Sequence, residues 1–255
     1  MPRRSPISRR FTTATAVGLL LGACSLSPLN RRIEVGEEPY AVFVAEGRDG
    51  WTDLFATLPG GGAPVRLTFT ALVESRPRLT SRGDVVAFVR ERRSGGEADL
   101  VVMNLLNGAE RVLEMPPEAG PIEALGWSHD DRAIYLRTAA GHWRVSAPPA
   151  PATVALLGAA DLPTADSALA ILLGTPAFAR ATLCDSGGVC VVGPSGTATP
   201  LSEQGTGPFR WGRDSVAWFE DGAIVVRALG PGIPRRIEWT SELSNAREGS
   251  YAEPE

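Results

Sequence analysis

Short apolar runs separated by polar, glycine-bearing turns recur along the chain, and the recurrence is regular enough to align. Five segments superpose: FVAEGRDGWTDLFATLPGGGAPVRLT from Phe43, FVRERRSGGEADLVVMNLLNGAERVLE from Phe88, YLRTAAGHWRVSAPPAPATVALL from Tyr135, TLCDSGGVCVVGPSGTATPLS from Thr182 and WFEDGAIVVRALGPGIPRRIE from Trp218. Each holds an apolar strand, a glycine turn, a second apolar strand, a Gly/Pro turn and a short ending such as Arg66-Leu67-Thr68. That order predicts a three-strand antiparallel meander written five times.

A fourth element lies between the segments, in RPRLTSRGDVVAF, EALGWSHDDRAIYL and GPFRWGRDSVAWF. Trp127 and Trp211 take the same place in it, each followed by a polar turn carrying Asp130-Asp131 or Asp214. Four short strands per repeat predict an all-β fold, a β-propeller of five to six blades with four antiparallel strands each. The element resembles the P-x-W-S-P-D-G-x-x-I-a-F repeat of TolB-like propellers, through Pro77, Trp127, Ser128, Asp130, Ile134 and Tyr135. The resemblance runs from Pro39 to Trp239, no copy is complete, and LPTADSALAILLG replaces the tryptophan element in the fourth copy. Five copies imply five blades, where the resemblance implies six. Residues 25–38 and 240–255 supply a partial sixth blade or close the ring. RRIEV from Arg31 is the expected closing strand, and the tail SNAREGSYAEPE is expected to be loose.

The N-terminus sets the compartment. Four arginines and no acid precede an apolar run from Thr12 to Ala23, which reads as a secretory leader. Leu21-Gly22-Ala23-Cys24 resembles a bacterial lipobox, so Cys24 is the expected site of acylation, palmitate included, and Ser25 favours the outer membrane in a cell that has one. The chain divides into the leader (1–23), a lipidated N-terminus and linker (24–38), the propeller (39–240) and a polar tail (241–255). Loss of the leader moves the formal charge from −4 to −8, which disfavours nucleic acid as a partner. All 25 basic side chains are arginine, spread along the chain. In an oxidising compartment Cys184 and Cys190 are expected to pair.

Chemistry is the harder question, because CDSGGVC, residues 184 to 190, resembles the nucleophile segment of trypsin-like proteases and TAAGHW holds His142. Both stretches align with hairpin tips of the meander. Asp185-Ser186-Gly187-Gly188 is turn chemistry, with Cys184 expected opposite Cys190 across Ser186 to Gly188. Two histidines and two committed cysteines leave no His/Cys metal cluster, and no cofactor or enzymatic activity is expected. Trp127 and Trp211 read as core between blades rather than ligand platforms. Arg90, Arg92 and Arg93, on the hairpin 90–99, are the candidate partner contacts; their alternative is a solvated tip. The expected function is a lipid-anchored extracytoplasmic scaffold for protein–protein interaction, an accessory subunit of a membrane or envelope complex. The alternative is a carbohydrate- or small-ligand-binding lipoprotein that uses the propeller funnel.

Overall fold

A computed structural model describes residues 27–29, 32–91, 98–158, 180–193, 195–212, 214–230, 232–239 and 243–253. Each aligned repeat folds as a meander because apolar runs of five to seven residues alternate with turns whose residues accept positive φ. The first repeat gives β1 (Tyr40–Glu46), β2 (Thr52–Thr57) and β3 (Val65–Arg66). The second gives β4 (Val73–Leu79), β5 (Val85–Glu91), β6 (Ala98–Asn104) and β7 (Glu110–Leu113). The third gives β8 (Ile122–Trp127), β9 (Ala133–Thr138), β10 (Gly141–Ser146) and β11 (Val154–Leu157). In the fourth, the described strands are β12 (Arg180–Leu183), β13 (Val189–Val192) and β14 (Ala198–Ser202). The fifth gives β15 (Thr206–Trp211), β16 (Ser215–Glu220), β17 (Ala223–Ala228) and β18 (Arg235–Glu238), and the last described strand is β19 (Ser244–Ala252). The fourth-copy stretch LPTADSALAILLG lies outside the described residues.

The sheets run β4-β5-β6-β7, β8-β9-β10-β11, β12-β13-β14 and β15-β16-β17-β18, while the first is β19-β1-β2-β3. The described residues therefore form a β-propeller of five sheets, whose first blade takes its inner strand from residues 244–252. β19 pairs along the whole of β1, from Tyr40 with Ala252 to Glu46 with Ser244. Two expectations are corrected here. The tail is not loose but closes the ring, and the stretch after Arg31 contains no strand among its described residues. Closure satisfies the β1 edge, which would otherwise expose unpaired backbone groups. Tyr40, fully buried, fixes the junction by donating its hydroxyl to the Gly83 carbonyl.

Among the described residues, apolar clusters fill four seams between blades. One joins Val42, Val44 and Leu54 of the first blade to Val86, Phe88 and Val101 of the second. Another joins Val89 and Leu100 to Leu125, Trp127 and Trp143 of the third. A third packs Phe43 and Phe55 against Phe209, Trp211 and Phe219 of the fifth, and Val189 packs with Trp218 between the fourth and fifth. Trp127 and Trp211 each end an inner strand and are buried in these seams, as their shared place in the repeat predicts. Trp127 Nε1 donates to the Arg78 carbonyl at 2.8 Å, and Trp211 stacks on Tyr251 at 4.2 Å.

The inner strands share a further device. β4, β8, β15 and β19 all lose register partway along, leaving Arg76-Pro77, Glu123, Gly207-Pro208 and Glu248 outside the ladder. A bulge bends its strand and leaves a residue unpaired, so a proline there forfeits no ladder bond. Arg76, Gly207 and Glu248 take positive φ of 54°, 55° and 50°. The bulges meet near the axis. Arg76 donates its backbone N–H to Glu248 and pairs with it at 3.3 Å, while its Nε reaches the Glu123 carbonyl at 2.9 Å.

Candidate functional site

The predicted contact residues separate. Arg92 and Arg93 lie outside the described residues, as does Cys24. Arg90 is described, and the structure corrects its expected role: it is buried inside the second blade rather than displayed on the hairpin. Its Nε donates to Glu74 Oε1 at 2.9 Å, and its two terminal nitrogens hold Glu110 at 2.6 and 2.9 Å. The guanidinium also lies over the Phe88 ring, 5.1 Å from its centroid. A guanidinium used in this bidentate manner has little left for a partner. Glu74 is fully buried; one oxygen accepts from Arg90 and from Thr70 Oγ1, and Oε2 is buried with no donor. Burial pushes its carboxyl up to about 7, against the pull of Arg90 and Thr70.

Cys184 and Cys190 are disulfide-bonded, with Cα atoms 5.2 Å apart. The hairpin register differs from the expected one by two residues. Leu183 pairs with Val189 and Thr182 with Cys190, while Cys184 N–H donates to the Gly188 carbonyl at 3.0 Å. The bridge is therefore diagonal, from the turn back into β13, and the turn is Asp185-Ser186-Gly187. Two consecutive glycines permit this turn, with φ of 88° and 78°. Ser186 is exposed at the tip. His142 sits on β10 of the third blade, opposite Arg137 and Leu157, in a different sheet from Ser186.

A feature that sequence reading missed lies where the β16–β17 hairpin meets the connection into β19. A cleft of about 250 Å³ opens there, lined by Phe219, Glu220, Asp221, Trp239, Asn245 and Gln204 among others. The Asp221-Gly222 turn takes positive φ at both residues, 49° and 71°, the requirement of a tight two-residue hairpin loop. Trp239 is held by stacking on Phe43, with centroids 5.1 Å apart. Glu220 accepts from Ser202 Oγ and from Trp218 Nε1 at 2.8 Å, and these bonds hold its carboxyl below the usual range. Arg236 sits 3.7 Å from its other oxygen. Asp221 is exposed at the tip. The wall is thus an aromatic floor with a fixed carboxylate and an exposed one at its edge. The D-G pair in EDGA was the available signal for the hairpin, but nothing local marks the contribution of Trp239 from the next connection.

The fold sets the class, a β-propeller whose first blade is completed by β19. TolB from Acinetobacter baumannii superposes with a TM-score of 0.38 at 14% identity, over 86% of this chain and 67% of that one. A protein assigned as TolB from Agrobacterium tumefaciens gives 0.40 at 15% identity, over 83% and 70%. The propeller domain of the Trilobed protease from Pyrococcus furiosus gives 0.36 at 12% identity, over 78% and 54%. No family model matches the chain, and no curated protein matches it. No helix among the described residues is long and apolar enough to cross a membrane.

Proposed function

We propose that the protein is a lipid-anchored extracytoplasmic scaffold that docks a protein partner, as an accessory subunit of a membrane or envelope complex, and performs no chemistry at Ser186. The observation that carries this reading is the cleft between the β16–β17 hairpin and the connection into β19. It stands on the packed seam of the first and fifth blades, and loops held by a rigid framework are the usual suppliers of contacts. Its aromatic floor and acidic edge, on an acidic chain, complement an arginine side chain of the partner. A guanidinium stacks on an aromatic ring and pairs with a carboxylate in one placement. Glu220 is already engaged by Ser202, Trp218 and Arg236, so Asp221 supplies the exposed charge.

Full-length protein, purified in detergent with its partner cross-linked and identified, tests the reading. Asp221→Arg should weaken the partner's affinity at least about tenfold without lowering thermal stability. Undiminished affinity would move the contact elsewhere. Cys24→Ser should release the protein from the membrane fraction; continued association would remove the anchor. Ser186→Ala should alter neither property.

A further inference from the structure

We infer that the propeller axis carries an oxyanion site built on Arg78, and that a carboxylate or phosphate group completes its coordination. Arg78 lies on the inner strand β4, beside the Arg76-Pro77 bulge. Its Nη1 donates to two backbone carbonyls, Pro77 at 2.7 Å and Gly249 of β19 at 3.5 Å. Nε and Nη2 have no acceptor among the described residues, and no carboxylate oxygen comes within 4.0 Å of the guanidinium. A half-buried guanidinium whose remaining donors meet only solvent gains from a charged acceptor that fits them. Burial depresses the Arg78 pKa, and the like charge of Arg76 adds to the depression while Glu248 opposes it.

Solvent reaches this point. Arg76 and Glu248, joined near the axis, keep about a third of their side-chain surface exposed, at 34% and 32%, and Arg78 is itself only half-buried. Among the charges of β4, Glu74 is committed to Arg90 and Arg76 to Glu248, which leaves Arg78 without a carboxylate partner among the described residues. A cation placed in this way attracts small anions. Ser250 adds a hydroxyl: its Oγ accepts from the N–H of Leu79 at 3.0 Å, which leaves its own proton to donate. An oxyanion with two acceptor oxygens matches the two open guanidinium nitrogens. The inference is independent of the docking cleft and fails separately from it.

The test uses the purified full-length protein in phosphate-free buffer at constant ionic strength, titrated with inorganic phosphate in one arm, succinate in a second and chloride in a third. Trp127 donates to the Arg78 carbonyl, so tryptophan emission should change saturably with phosphate, succinate or both, and not with chloride. The thermal midpoint should rise by about 3 °C at saturation. Arg78→Gln should abolish the response, Arg78→Lys should weaken it about tenfold, and Arg111→Gln, on the outer strand β7, should leave it intact. Should Arg78→Gln fail to fold, Arg78→Lys and the wild-type titration still decide. A wild-type protein that responds to none of these anions beyond chloride, or a response that survives Arg78→Gln, overturns the site.

Discussion

Gly188 shows how little freedom a single position can have. A Cβ there would stand 2.1 Å from the Ser202 carbonyl oxygen and 2.8 Å from the Glu203 backbone, while the residue already sits at φ of 78°. Its neighbour Gly187 has the same handedness, φ 88°, but faces open space. Gly188→Ala should therefore cost about 3 kcal/mol and Gly187→Ala about 1 kcal/mol in denaturant unfolding, the difference measuring the contact rather than the backbone. Glu74 sets a pH dependence of defined sign. Its folded pKa of about 7 lies above the ordinary 4.5, so its contribution favours folding below pH 4.5 and is lost as pH rises toward 7. The full span is on the order of 3 kcal/mol. Glu74→Gln, which keeps the shape and removes the titration, should gain in thermal midpoint relative to wild type between pH 5 and 8. A constant difference across that range would show that Arg90 compensates the charge fully.

Among the elements, hairpins were the legible part of the sequence. Glycine turns between apolar runs placed β1–β2, β5–β6, β9–β10, β12–β13 and β16–β17 correctly, because a two-residue period and a turn are both local properties. The tryptophans marked the ends of β8 and β15 for the same reason. Registers were less legible. The hairpin bearing the cysteines slipped by two residues because either pairing puts both cysteines on one face, so side-chain alternation does not select between them. The role of Arg90 was hidden as well: its partners Glu74 and Glu110 come from two other strands, and a run of arginines reads as surface until those strands are assembled. The diagonal bridge should still stabilise the hairpin. Replacing Cys184 and Cys190 together with serine should lower stability by about 2 kcal/mol, read as a shift in urea midpoint with an unchanged slope.

At the scale of the whole molecule, the ring depends on β19. Its sequence, SNAREGSYA, is polar and small because two bulges interrupt its alternation and its exposed positions outnumber its buried ones, so no apolar period announces it. Yet Gly249 lies under the Phe209 ring, where a Cβ would come within 2.5 Å, and Ala252 enters the core of the first two blades. Ending the chain after Trp239 should abolish the cooperative unfolding transition, since it strips β1 of its partner and uncovers both flanking seams. Gly249→Val should weaken the same closure by about 3 kcal/mol. A truncated protein that keeps the wild-type midpoint would mean that β1 needs no closing strand.

The pairing of β1 with β19 also sets when this protein becomes folded. Residues 244 to 252 leave the ribosome after every strand they complete, and the separation of Tyr40 from its partner Ala252 spans nearly the whole chain. The first blade must wait, unfinished, through the synthesis of the other four, and loop closure over such a length is slow. Under the proposed extracytoplasmic function that delay is useful: a ring that cannot lock before β19 emerges remains threadable while it crosses a membrane. On that proposal, the strand that completes the first blade is also a timer on export, holding the domain open until β19 has followed the other blades across.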